Sequence, residues 1–345
     1  MLSEIIVSPS PHISGPFSTR RVMGDVIIGL LLPFIAAIYY FRLYAITLTA
    51  TCVISCVITE YICNIIRKKQ NPAESLGDLS AVVTGMILAF SVPPSLPLWS
   101  AVIGSAFAIA IGKMVFGGLG SNIFNPAMVG RAFLTASFGM LMTTWTVPAT
   151  IDSAMPNIGL GTNSSYSDDV IARTQATPLG YSKEAIKSKT GAKEVEKQFR
   201  PALFGEVGGC LGETSAVAIL IGGIYMLIRK TINLHTPLAV LISTFVFAAV
   251  VNLIKPDVYI SPLMHIASGG ILLCAFFIAT DPVTAPLSVK GMWIFGIGIG
   301  TITMIIRVFG EYPGGVMFSV LLMNSITPLI DRLCKLTPAG GKPNA

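Results

Sequence analysis

The sequence predicts an all-α polytopic membrane protein, with about ten transmembrane helices in two inverted five-helix repeats with broken helices, plus a long extracytoplasmic loop. Three observations lead there. The residues are 53% hydrophobic and 12% charged, with a mean hydropathy of +0.74, whereas a soluble domain carries roughly 25% charged residues. Apolar runs near the roughly 20 residues that span a bilayer core recur along the whole chain. The two halves also repeat one another in the order of their apolar and Gly/Pro-rich strings. A chain of 345 residues with this many spans leaves no length for a large soluble domain.

Residues 1–22 form a short tail holding Ser3, Ser8, Pro9, Pro11, Arg20 and Arg21, with no apolar run long enough for a signal peptide, so insertion is expected to begin at the first span. The apolar runs lie at 23–41, 43–66, 79–92, 97–116 and 123–145, and then at 209–228, 236–254, 261–280, 292–307 and 313–333. The third and ninth are short. The domain reading is a tail (1–22), a first repeat (23–145), a loop (146–208), a second repeat (209–333) and a tail (334–345).

Cations are costly to translocate in short loops, so their distribution sets orientation. With the N-terminus inside, the short cytoplasmic segments hold Arg20, Arg21, Arg67, Lys68, Lys69, Lys113, Arg229, Lys230, Lys290, Arg332, Lys335 and Lys342. The short outer segments hold only Arg42, Lys255 and Arg307. Both termini are therefore expected in the cytoplasm, in a multi-pass inner-membrane topology. This asymmetry also explains the net charge of +6 without nucleic acid as a partner. The six cysteines lie in or beside apolar runs with no CxxC pair, and His12, His235 and His265 have no ligand spacing, so no metal site is expected.

The loop at 146–208 faces outward on this topology. Structureless loops of such length are usually functional or disordered. Its segment 183–200 alternates Lys with Glu and predicts a short solvated helix.

The internal repeat sets TGMILAFSVPPSLPLW (84–99) beside GGILLCAFFIATDPVTAPL (269–287), and FGGLGSNIFNPAMVG (116–130) beside FGEYPGGVMFSVLLMNSITP (309–328). Five spans per half is an odd number, so the second half is inverted. Gly and Pro interruptions in corresponding segments of inverted repeats point to broken helices lining a binding site near the midplane.

Within the loop, the string from Asp169 to Leu179 reads D-x-x-x-x-T-x-A-T-P-L. It resembles the flavin-transferase acceptor pattern, in which the final threonine is esterified to the phosphate of FMN, and departs from it at Gln175. On that match the modified residue is Thr177. A phosphate link leaves the isoalloxazine free, and Pro178 biases Thr177 toward an extended backbone. The other reading is an ordinary Ser/Thr turn before a proline.

Further strings extend the likeness over nearly all the chain: SPSPHI (8–13), VTGMILAFSVPPSLPLW (83–99), NIFNPAMVGRAF (122–133), TQATPL (174–179), GCLGETSAVAILIGG (209–223), FIATDPVTAPLS (277–288) and IIRVFGEYPGGVMFSVLLMNSITPLIDR (305–332). Together they resemble the D subunit of Rnf electron-transport complexes and, more distantly, the B subunit of the sodium-translocating NADH:quinone reductase. The short N-terminal tail favours the Rnf type. The resemblance implies a translocase subunit that carries electrons on covalent FMN and couples ferredoxin and NAD chemistry to Na⁺ or H⁺ movement. It also implies the other Rnf membrane and flavin/iron–sulfur subunits and a flavin transferase as partners, besides membrane lipid. The chemistry then belongs to the cofactor, and no catalytic side chain is expected.

Asn122 and Asn125 resemble the family's noncovalent riboflavin site, with Gly118 and its neighbouring glycines letting a ring approach the backbone. The competing role is helix capping at a break. Arg131, inside a span, must find a partner, an anion or water, and is grouped with that flavin region. Asp78, Asp281 and Asp331 sit at span ends and are the candidates for a cation path, the other reading being interfacial placement. A secondary transporter or channel without redox chemistry also suits inverted repeats.

Overall fold

The computed structural model describes residues 18–146, 177–189, 192–213 and 215–335, and every regular element among them is helical. The first, α1 (Thr19–Phe41), opens on Ser18, whose hydroxyl accepts from the Arg21 N–H at 3.3 Å. A single residue in left-handed φ, Arg42, turns it into α2 (Leu43–Ile66). Next, α3 (Ser80–Phe90) has 11 residues, about 16 Å at 1.5 Å per residue and roughly half a bilayer core. Pro93, Pro94 and Pro97 withhold N–H donors just beyond its end. Almost all of α3 is buried, as a helix that stops inside a membrane requires.

The return helix α4 (Leu98–Ile109) passes into a π-helical turn, Ala110–Met114. A glycine turn follows, with Gly117, Gly118 and Gly120 all at positive φ. Then α5 (Pro126–Ser137) and the short α6 (Gly139–Thr143) complete the first half.

The second half has matching parts. Helix α10 (Ala216–Ile228) and α11 (His235–Ile254) stand where α1 and α2 stood. The next segment is broken into α12 (Pro262–Ala267) and α13 (Ile271–Leu273), the latter continuing as a π turn, Cys274–Ile278. Helices α14 (Val289–Phe309) and α15 (Val316–Leu333) follow. In the first half α2 packs on α4 and α4 on α5; in the second, α11 packs on α14 and α14 on α15. Among the described residues five helices, α1, α2, α11, α14 and α15, are long and apolar enough to cross a membrane, and α3, α4 and α10 are shorter apolar helices. The ninth segment, expected to be short at 292–307, is a full 21-residue helix, because residues 289–291, with Lys290, join it at its start and Val308 and Phe309 at its end.

The halves meet where α1 packs on α10. A Cβ on Gly222 would stand 2.3 Å from the Gly29 carbonyl oxygen, so only glycine permits this approach. Gly222→Ala is expected to force the helices apart and cost about 1–3 kcal/mol, read as a lower melting temperature of the detergent-purified protein. Asp25, 5% exposed, clamps the same pair: its Oδ1 accepts from Tyr225 and Arg229, each at 3.2 Å, and its Oδ2 from Thr231 at 3.0 Å. We call the end of the bundle where α1 begins proximal, and the opposite end distal.

The loop contributes α7 (Pro178–Ser188), α8 (Ala192–Glu196) and α9 (Phe199–Phe204). The single solvated helix expected at 183–200 is thus three short pieces. Ala192, Val195 and Ala202 are buried with Ile260 and Met264, so apolar docking onto the second half shapes this stretch.

Candidate functional site

Thr177 is the N-cap of α7. Its backbone is extended, φ −66 and ψ 158, Pro178 takes the first helical position, and its Oγ1 accepts from the Gly180 N–H at 3.0 Å. The structure therefore bears out the backbone expected before Pro178, and it gives the hydroxyl a capping partner. Lys183 fixes the helix from below, donating from Nζ to the carbonyls of Ile306, at 3.4 Å, and Gly310 at the end of α14. Burial pushes the Lys183 ammonium below the usual lysine range; Glu311 opposes that shift and Lys187 adds to it.

Thr177 lines a distal cleft together with Arg131, Trp145, Glu213, Gly270 and the 312–318 turn. The cleft opens to the outside, and its water-accessible part is about 70 Å³, room for several waters. Arg131 reaches this cleft from α5 and donates from Nη2 to Cys210 Sγ at 3.7 Å. No carboxylate pairs with it within 4 Å among the described residues. Grouping Arg131 with Asn122 and Asn125 is corrected here: the asparagines stand at the start of α5 and line a different cavity, whereas Arg131, more than a turn further on, belongs with Thr177.

Beneath the cleft lies Arg307, 3% exposed. Its Nη1 donates to the His265 carbonyl at 2.6 Å and its Nη2 to the Ser268 carbonyl at 3.1 Å. Those are carbonyls that the break between α12 and α13 leaves without helical donors. Gly269, at φ +73, makes the room, since a Cβ there would lie 2.8 Å from Arg307 Nη2 and 2.6 Å from Leu179 Cδ1. Arg307 is thus no outer-loop cation. It is a buried brace of the broken helix.

The proximal cavity is lined by Ser80, Thr84, Lys113, Asn122, Asn125, Phe276, Phe277 and Asp281, among others. Asn125 caps α5, its Oδ1 accepting from the Met128 N–H at 3.2 Å. Asn122, 5% exposed, donates from Nδ2 to the Phe124 carbonyl at 3.2 Å and leaves its buried Oδ1 without a partner. That orphan acceptor suits a donor such as a ring N–H or a water. The cavity opens to the outside, and its water-accessible part is about 60 Å³, enough for several waters. Gly118 does not line the cavity; it lies in the glycine turn beside Arg67, which donates to the Gly117 carbonyl at 2.9 Å.

A buried ion pair borders the same cavity. Lys113 Nζ donates to Glu60 Oε2 at 2.7 Å and to Ser80 Oγ at 2.6 Å, with the two charged side chains 2% and 1% exposed. Ser80 in turn donates through both its hydroxyl and its N–H to Asp78 Oδ1. Lys113 is therefore not a loop charge, and setting it and Arg307 aside leaves the cation asymmetry in the same direction. Asp281 accepts from the Val283 N–H at 3.3 Å and the Thr284 hydroxyl at 3.0 Å. Asp331 accepts from the Leu287 N–H at 3.3 Å. All three candidate aspartates thus sit at the proximal end. Asp281 and, through Ser80, Asp78 border one cavity, and Asp331 braces the segment that follows Asp281.

Sequence reasoning passed over Glu60. The signal was present, since a carboxylate within the 24-residue apolar run of α2 marks either a site or a buried partner. Among the described residues no group of three or more His, Cys, Asp or Glu comes together as metal ligands.

Comparison with known proteins places these features in context. The model of the NQR2, RnfD, RnfE family matches residues 6–340. The chain is 42% identical over 333 residues to the D subunit of the Na(+)-translocating ferredoxin:NAD(+) oxidoreductase complex of Acetobacterium woodii, covering 96% of this chain and 94% of that protein. It is 40% identical over 336 residues to the D subunit of the ion-translocating oxidoreductase complex of Stutzerimonas stutzeri, covering 94% of each. The D subunit of the proton-translocating ferredoxin:NAD(+) oxidoreductase complex of Clostridium ljungdahlii is 36% identical over 336 residues, with 94% and 93% covered.

Proposed function

The chain belongs to the NQR2, RnfD, RnfE family, and from that premise we propose that it is the flavin-carrying membrane subunit of an Rnf-type ion-translocating ferredoxin:NAD⁺ oxidoreductase complex, with FMN joined through its phosphate to Thr177. The relatives' names support the complex and its ion coupling. The observation that carries the flavin assignment is the seat of the Thr177 hydroxyl: it caps the N-terminus of an 11-residue helix and lines a cleft shared with Arg131.

That seat suits a phosphodiester. A helix N-terminus offers unpaired N–H groups and positive partial charge to an anion, and Arg131 brings a guanidinium that cannot lose its proton. An esterified Oγ1 still has a lone pair for the Gly180 N–H, so attachment and capping are compatible. The flavin, when bound, supplies one- and two-electron chemistry. The residues of this chain hold the phosphate at Arg131 and α7, and keep the carrier docked through Lys183.

On the cation asymmetry, the proximal end faces the cytoplasm with both termini, and the Thr177 loop lies outside it. Maturation then calls for a flavin transferase working on that side, and electron flow calls for the other subunits of the complex. Mass spectrometry of the peptide containing Thr177, from protein made with a flavin transferase, is expected to show an added mass of FMN less water. An unmodified peptide from an otherwise assembled complex refutes the assignment.

A further inference from the structure

Two carboxylates share one ammonium beside the proximal cavity. Lys113 Nζ donates to Glu60 Oε2 at 2.7 Å and to Ser80 Oγ at 2.6 Å, and the Ser80 hydroxyl donates on to Asp78 Oδ1. This line of hydrogen bonds joins a buried acid on α2 to a half-buried one at the end of the turn Glu74–Asp78. Among the described residues Lys113 is the only cation within 4 Å of Glu60, and none lies within 4 Å of Asp78. Arg67, just past the end of α2, is directed to the Gly117 carbonyl. Other titratable groups around the line are thiols or acids: Cys56 and Cys63, about a turn to either side of Glu60, Glu74, exposed at the head of the turn, and Asp281, which lines the same cavity as Ser80 and Lys113. That cavity opens to the outside, and Asn122 Oδ1, buried there without a partner, offers a water an acceptor.

We propose that Glu60 and Asp78 form a proton-binding site, in which one exchangeable proton is shared between the two acids through Lys113 and Ser80. The charge count is the reason. With both carboxylates ionised, the line holds one net negative charge in surroundings poor in water, where an unbalanced charge is costly. One proton makes it neutral, and the ammonium then balances whichever acid stays ionised. The exchange closes atom by atom: the Asp78 carboxyl passes its proton to Ser80 Oγ, the Ser80 proton passes to Lys113 Nζ, and a Lys113 proton passes to Glu60 Oε2. Asp78 ends ionised, Glu60 ends as the acid, and Ser80 and Lys113 end as they began. Acids linked in this way titrate as one unit rather than as separate groups. Water in the open cavity reaches Ser80 and Lys113 and brings the proton in. The inference does not depend on the flavin at Thr177.

The test is infrared difference spectroscopy of the full-length, detergent-purified protein, titrated with acid across the range in which it stays folded, in H₂O and in D₂O. A protonated carboxyl shows a C=O stretch that an ionised one lacks, and the stretch shifts in D₂O. The samples are wild type, Glu60→Gln, Asp78→Asn, Ser80→Ala and Ser80→Thr. Either acid variant leaves one carboxylate facing one ammonium, a balanced pair that needs no proton, so both are expected to lose the same wild-type band. A purely structural ion pair predicts otherwise: Asp78→Asn then leaves Glu60 untouched, and the two variants lose different bands or none. Either of those results overturns the proposal. Ser80→Ala breaks the line and is expected to move the band, with Ser80→Thr restoring it; a band unmoved in Ser80→Ala overturns sharing through Ser80. If Glu60→Gln does not fold, Asp78→Asn, at the half-buried end, decides alone, and a band of full size there overturns the site.

Discussion

On the proposed attachment, Thr177→Val is expected to remove the covalent flavin completely: the denatured chain, run on a gel under ultraviolet light, loses its fluorescent band, whereas Thr177→Ser keeps it. Valine matches threonine in shape and lacks the oxygen, so the variant tests the hydroxyl and little else. The fold tolerates the change, because the lost cap to Gly180 is worth about 1 kcal/mol and α7 remains docked through Leu179 and Lys183. Electron flow through the assembled complex is expected to fall with the fluorescence. A Val variant that keeps its band places the flavin on another residue. One that loses the band yet transfers electrons at the wild-type rate makes the chain a scaffold.

The second large effect falls on stability. Lys113→Met leaves the Glu60 carboxylate, 1% exposed, without its counter-ion, and Glu60→Leu does the converse to Lys113. Each single change is expected to cost about 3–5 kcal/mol, since a buried charge without its partner keeps its desolvation penalty and loses the attraction that offset it. The double variant Glu60→Leu/Lys113→Met removes both charges and is expected to recover most of that loss. Denaturant unfolding of the detergent-purified protein measures all three. A double variant no more stable than the worse single one shows that Ser80 and Asp78 depend on the lysine for more than charge balance.

Much of the architecture was legible from hydropathy and from glycine and proline. The boundaries of α1 and α2 follow their apolar runs closely, and the prolines after Phe90 announced the half-length α3. The ninth segment was misjudged at its start because Lys290 interrupts its apolar run while remaining helical, and Arg307, counted among the outer cations, is instead buried, which no local pattern reveals. Lys113 was hidden in the same way. Its π turn shifts the register by which a 3.6-residue period is read, so a lysine that seemed to close a span points inward to Glu60. Within the site, Thr177 was legible because its chemistry is local, a hydroxyl before a proline in a short string. Arg131 was recognised as a charge needing a partner, and its company was not, because the cleft joins residues from α5, α7 and the 312–318 turn. Asn125 shows the opposite limit: a cap and a ligand residue have the same side chain, and the 3.2 Å bond from the Met128 N–H to its Oδ1 shows the capping task, which the sequence alone leaves undecided.

If FMN is joined to Thr177 as proposed, the burial of that residue bears on the order of events in the making of this protein. Thr177, 6% exposed, already accepts the Gly180 N–H at the cleft wall, so its oxygen is more accessible before α7 docks than after. On the proposed attachment, the transferase acts while this stretch of chain is still free. Helix α7 then closes against α14 with its cargo in place. On that attachment, esterification is expected to precede docking, and a pulse of flavin transferase supplied after folding is expected to label the chain less than one supplied during synthesis.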